Sequence, residues 1–436
     1  MAFVLLNLFT ISYFLHLTAR VPALGALRLD LALAGGAMLA IAIQYGVGGG
    51  LRLSEEVARR LNLFLVYILV SLPLVTLHGS VINNSPGWIK VVFFFLLVVG
   101  AIRSEKQLKI LMLVFLACQL FRGLEPLYLH ITTGYWGDIA YSHAAGVMTG
   151  LHRLSGAPFD VVNPNQLAWV IVSTIPFLFY LLWQLNKKGK LLFVIIVLPL
   201  TQALLLTGSR SGLLSLAMVI VAIIMFSKNR KRTVLIGLFV IVPIAVILLG
   251  QLAPDMRERY LSLIDSDVAG ADTKQGRINA LVEQIGTVSN NPLFGHGLGT
   301  SGETNWNIMG GSSQITHNLY VEILQETGAI GLTLFLLYIA TIIKSLRRTL
   351  QTLAEKGYAA SDWLVRLSSA ALVWVIMDLF YSMSCFGLRS WEWYFFGGIA
   401  TVCHILALER KELISAEPSY RSEEHTSELQ SRITIS

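Results

Sequence analysis

Arginine grips a phosphate at two points at once and keeps its charge at any cellular pH. Three arginines of this 436-residue chain stand in polar motifs between apolar runs. Arg210 lies in "TGSRSG" (207–212), a tight connection with Gly208 and Gly212 on either side, where the backbone can turn and approach a ligand. Arg277 lies in "TKQGRINALVEQIGTVSNNPLFGHGLGT" (273–300). From Gly276 onward, Ile278, Leu281, Val282 and Ile285 have helical spacing, so Arg277 is expected to start an amphipathic helix that stops at "SNNP". Gly295 and Gly297 in the following "FGHGLGT" suggest a loop whose N–H groups could meet an anion. Arg153, in "HRLSGAPFDVVNPNQLAW" (152–169), is either a ligand contact or a surface residue, and the asparagines after it cap the next helix. His317 opens "THNLYVEILQETGAIGL", with Thr316 as the expected N-cap and Asn318, Glu322 and Glu326 close behind. Histidine suits proton transfer near neutral pH. The two glutamates, one turn apart, can orient it, pair with an arginine or line a wet cleft. Plainer roles compete with each of these: a boundary arginine can snorkel, and an interfacial histidine can be satisfied locally.

The elements that must position these residues are membrane helices. The chain is 55% hydrophobic and 14% charged, more apolar surface than a soluble protein can hide. The expected fold is an all-α polytopic membrane protein of about twelve spans, each needing roughly 20 apolar residues. The reading places nine spans in 1–250, a long helical outer loop at 251–316, three more spans in 317–410 and a cytoplasmic tail at 411–436. Its last part, 421–436, resembles a cloning or sequence-assembly scar. "RLSEEVARR", "RSEKQLK", "NKKGK", "SKNRKR" and "KSLRR" alternate with lysine-poor connections, which puts the basic loops and both termini in the cytoplasm. The arginine motifs and His317 then face outward. No cleavable signal peptide stands out. Cys118, Cys385 and Cys403 form no disulfide framework, and the net charge of +7 sits in membrane-flanking loops and points to no nucleic acid. The histidines show no metal-ligand spacing. "DSD" (265–267) reads as a polar turn, and no phosphate loop is present. No cofactor and no metal are expected.

Arginines and a histidine at an outer lipid boundary suit a lipid whose head is an anionic diphosphate. Charge grows on such a leaving group during sugar transfer, and arginines placed there stabilise the transition state more than the ground state. The ordered set "TGSRSG", "GRINAL…NNPLFGHGLGT" and "THNLYVEILQETGAIGL" resembles the O-antigen ligase / O-antigen polymerase superfamily, most clearly over about 200 to 335. The family often has an aromatic four residues after the loop arginine, where this chain has Leu281. The resemblance implies an inner-membrane glycosyltransferase with its active site facing the periplasm. The donor would be an undecaprenyl-diphosphate-linked glycan and the acceptor a hydroxyl of lipid A–core or another glycan, with membrane lipid around both. Inverting, metal-independent transfer is implied, with His317, Arg210 and Arg277 as catalytic residues. Arg153, Asn318, Glu322, Gly295 and Gly297 are the expected substrate contacts. Ligase is favoured over polymerase, and transfer to protein hydroxyls is a lesser alternative. A secondary transporter is the rival from another class, but it would place its charges at the bilayer midplane.

Overall fold

The computed structural model describes residues 1–46, 55–138, 141–144, 147–160, 162–227, 230–231, 247, 250–261, 271–309, 316–385 and 387–412. Side chains are described within these except at 141–151, 271–277 and 309. The expected ninth span (233–250) lies almost entirely outside them, and the DSD turn and the terminal 421–436 segment wholly so.

The chain is an all-α polytopic membrane protein. Its described helices are α1 (Ala2–Phe14), α2 (Leu17–Arg20), α3 (Pro22–Ala26), α4 (Leu29–Gly46), α5 (Glu56–Ser71), α6 (His78–Ala101) and α7 (Glu105–Thr133). After a small hairpin come α8 (Pro164–Leu178), α9 (Lys187–Leu206), α10 (Arg210–Phe226), α11 (Pro254–Leu261), α12 (Ala271–Thr287), α13 (Ser301–Met309), α14 (Leu319–Glu355), α15 (Trp363–Tyr381) and α16 (Glu392–Glu409). Among the described residues, eight helices are long and apolar enough to cross a membrane, and α1 and α10 are apolar but shorter. Leu69, Val70, Leu191 and Ile195 stand exposed on the outside of this bundle, as lipid-facing side chains would.

Polar caps start the helices where the sequence offers them. Asn163 accepts from the N–H groups of Asn165 and Gln166, while Gln166 returns a bond to Asn163 N–H, with Pro164 at the first helical position. Ser209 caps α10 and Asp362 caps α15. At the centre, α16 runs between α14 and α6. Gly397 faces Tyr338 and Gly398 faces Val98, so two adjacent missing side chains let α16 approach both neighbours. Trp374 stacks on Phe396 at 3.7 Å, and Trp88 Nε1–H donates to Tyr394 Oη at 2.7 Å.

Three expectations change. The fifth span, which its hydropathy predicts at 108–121, runs to Thr133, because the charges that interrupt its hydropathy are satisfied inside: Arg122 pairs with Asp160 and Glu125 with Arg20. The outer segment that follows, which the apolar pattern predicts at about 122–164, begins later and includes a β-hairpin, β1 (Tyr141–Ala144) with β2 (Val147–His152), antiparallel with Tyr141 opposite His152. "KSLRR" is not a loop but the continuation of α14, where Lys344 and Arg348 hold Glu56. Arg410 binds Glu105 and Asp362, at the starts of α7 and α15. These ion pairs gather basic residues at one end of the bundle. The N-termini of α8, α10 and α14 and the C-termini of α7, α9 and α15 lie at the other.

Candidate active site

The turn between α9 and α10 is a meeting point for arginines. Arg153 is buried and donates from Nε to Thr207 O at 2.7 Å and from Nη2 to Asn165 Oδ1 at 2.8 Å. Arg259, in α11, donates from Nε to Gly208 O at 2.7 Å. Gly208 has φ 58°, a left-handed conformation that costs glycine little. A Cβ there would stand 3.2 Å from Arg259 Cδ and 3.3 Å from Arg153 Nε, so the two side chains flank the glycine closely. Arg210 is half-buried and is the first residue of α10, whose N-terminus adds the positive end of a helix dipole. The turn is fixed from below. Tyr260 Oη donates to Leu205 O at 2.9 Å, and burial drives its phenol well above the usual range, with Arg153 and Arg259 offsetting part of that. Arg153 and Arg210, two of the expected residues, are therefore brought together. Arg259 was not anticipated. Its only sequence signal is the short amphipathic "DMRERY" (255–260) in the outer loop.

His317 is exposed just before α14. The N-cap is Asn318 rather than Thr316: its Oδ1 accepts from Tyr320 and Val321 N–H at 3.0 and 3.2 Å. The Thr316 hydroxyl instead donates to Gln325 Oε1. Asn318 Nδ2 also donates to Met383 O at 3.0 Å, tying this helix start to the end of α15. There Tyr381 Oη donates to Asn165 O at 2.6 Å, on the same residue whose side chain receives Arg153. A chain of direct contacts thus links the segment carrying His317 to the arginine turn at one end of the bundle.

Glu322 and the glycines expected to meet substrate, and Glu326 one turn on, hold protein together. Glu322 is buried, and its Oε2 accepts from Gly387 N–H at 2.8 Å and Leu388 N–H at 3.3 Å. Glu326 accepts from Gly299 N–H at 2.7 Å and Ser301 N–H at 3.3 Å. The helix α14 is broken at Gly328, φ 65° and ψ −174°, and the 291–300 loop docks on the break. His296 N–H donates to Gln325 O at 2.8 Å and Gly297 N–H to Glu326 O at 2.9 Å, while Ala329 N–H returns to Pro292 O at 2.9 Å. A Cβ at Gly295 would stand 2.6 Å from three backbone atoms of residues 326–328. The N–H groups of Gly295 and Gly297 are therefore committed to protein acceptors, and these glycines serve close packing in place of an anion cradle.

Arg277 does not start its helix. It stands at the seventh position of α12, which begins at Ala271, and its guanidinium lies outside the described side chains. The far end of α12 is anchored to α14, where Gln325 Nε2 donates to Gln284 O at 3.1 Å and Thr287 Oγ1 at 2.8 Å.

A second polar region lies beside the arginine turn. Arg122 donates from Nε and Nη2 to Asp160 at 2.7 and 2.9 Å, and His16 Nε2 stands 3.3 Å from the same carboxylate. Burial pushes the Asp160 carboxyl up, but His16 and Arg122 together outweigh it and hold it at about 2. Arg122 also lines a cavity of about 220 Å³ that lies between Tyr381 and Trp391.

Residues 195–336 match the family model described as O-antigen ligase, a stretch from within α9 past the break in α14 that includes both the arginine turn and His317. No curated protein matches the chain. The domain at 195–336, which carries these motifs in order, is therefore similar to the family whose model is described as O-antigen ligase.

Proposed function

We propose that this protein transfers a glycan from a polyprenyl-diphosphate carrier to an acceptor hydroxyl at the outer face of the inner membrane. The observation that carries this reading is the convergence of Arg153, Arg210 and Arg259 on one helix N-terminus. A diphosphate diester brings about two negative charges, and each charge-assisted hydrogen bond to it is worth roughly 1.5–3 kcal/mol. Arg210 grips the diphosphate, with Arg277 from α12 as the second expected ligand. Arg153 and Arg259 supply field and hold the turn. As the glycosidic bond breaks, charge concentrates on the leaving phosphate, and fixed guanidiniums stabilise it without reorganising. His317 takes the proton of the acceptor hydroxyl or orients that hydroxyl, and the attack inverts the anomeric centre. No metal is required for either role. Of the two activities in the superfamily, attachment of a finished polysaccharide to lipid A–core is favoured, with polymerisation of lipid-linked repeats second.

Deleting the gene and examining lipopolysaccharide and carrier-linked glycans tests the reading. Bare core with long polymer left on the carrier indicates a ligase. Core capped by a single repeat indicates a polymerase. Unchanged glycans with lost uptake of a solute would replace the reading with transport.

A further inference from the structure

The cavity between Tyr381 and Trp391 is used by neither the arginine turn nor His317. Its volume of about 220 Å³ is room for roughly seven waters at about 30 Å³ each, or for one ring-sized polar guest. Trp169, Trp391 and Trp393 line it, together with the carboxyls of Asp378 and Glu392. Asp378 Oδ1 accepts from Trp169 Nε1–H at 2.7 Å. Glu392 Oε2 is sealed from solvent and has no hydrogen-bond partner among the described residues. Arg122, on the same wall, directs Nε and Nη2 to Asp160 and Nη1 to Gln119. Arg389, Gln166, Ser382 and Ser390 line it as well, so the cavity carries donors beside its acceptors, and the Glu392 oxygen is the acceptor still open. An acceptor left unsatisfied in a buried site is costly, so a guest that binds here must bring O–H or N–H groups. An anion can pair with Arg389 but brings no donor to the open Glu392 oxygen. An apolar molecule leaves that oxygen unsatisfied. A sugar ring brings several hydroxyl donors and a C–H face that packs on indole. The cavity also shares a wall with the arginine turn, since Tyr381 lines it while its hydroxyl reaches Asn165.

We propose that this cavity binds one pyranose ring of a glycan that the enzyme handles, with Asp378 and Glu392 accepting its hydroxyls and the tryptophans covering its C–H face. The proposal rests on the glycan-transfer reading, and its test separates the two. Methyl glycosides of glucose, galactose, mannose and N-acetylglucosamine are titrated into the purified full chain and followed by indole fluorescence. Farnesyl diphosphate binding is measured in parallel. At least one pyranoside is expected to give a saturable change, weakened tenfold or more in Glu392→Gln and in Asp378→Asn. Farnesyl diphosphate binding in the two isosteric variants should match the unaltered chain, which also reports that they fold. No saturable change with any of the four, or equal affinities in the variants, overturns the proposal and leaves a water-filled cavity. Pyranoside binding without farnesyl diphosphate binding would overturn the diphosphate reading and leave the ring site standing. A sugar-bearing polyprenyl diphosphate displaces the pyranoside if the ring belongs to the donor and leaves it bound if the ring belongs to the acceptor; either result assigns the cavity to a sugar.

Discussion

Removing the guanidinium of Arg210 should separate folding from chemistry. Arg210→Ala is expected to fold, because the turn is held by Arg153, Arg259 and Tyr260. It should lose roughly ten- to a hundredfold or more in transfer, the equivalent of one or two charge-assisted hydrogen bonds at about 1.5–3 kcal/mol each. His317→Ala should lower kcat by about 10²–10⁴, the usual worth of a positioned proton acceptor; unchanged turnover would remove His317 from the mechanism. Asp160 sets a different, acid-side dependence. Its carboxyl titrates at about 2 in the folded chain against an ordinary 3.8, so its stabilisation is complete above the ordinary value and fades as pH falls through about 2. Asp160→Asn should lower the Tm at pH 6 by the equivalent of about 2 kcal/mol and flatten the loss of stability between about pH 4 and 2. A Tm equal to that of the unaltered chain at pH 6 would mean that Arg122 and His16 gain nothing from the carboxylate. The sequence made Arg153, Arg210 and His317 visible as candidates because each interrupts an apolar context. It concealed Arg259, which stands among other charged residues, and Arg122, whose partner Asp160 is 38 residues away.

The broken helix α14 explains the glycine-rich motif better than a ligand does. Unwinding at Gly328 frees the carbonyls of Gln325 and Glu326, and the 291–300 loop supplies the N–H groups they need. Gly328→Ala would require a residue with a Cβ at φ 65° and would drive it into the Leu293 carbonyl. It should cost at least about 1–2 kcal/mol from the left-handed backbone alone, read as a lower Tm in detergent. A Tm within error of the unaltered protein would show that the loop does not depend on this break. Periodicity alone could not reveal the break, since "THNLYVEILQETGAIGL" reads as one continuous amphipathic run. The same limit applies to Glu322 and Glu326. Their positions at the helix mouth were evident, but their backbone partners come from loops that no local pattern pairs with them.

At the scale of the whole molecule, hydropathy was enough to give the all-α bundle, because each membrane helix must satisfy its own backbone. It set the ends of spans less well where a charge is neutralised by a distant partner, as at Arg122 and Glu125. The positive-inside rule predicts that Lys188→Cys is shielded from a membrane-impermeant maleimide in intact cells while Asn290→Cys is labelled; both residues are exposed, so the opposite pattern would invert the bundle. Transfer by the purified protein should persist in EDTA, and loss that added metal restores would contradict a metal-free reaction. The most direct test of the central claim is the affinity of the purified chain for a short polyprenyl diphosphate, compared with Arg210→Ala and Arg153→Ala. The account predicts binding at least about tenfold weaker in Arg210→Ala, steeply salt-dependent in the unaltered chain and less so in the variant. Equal affinity across the three proteins would contradict it.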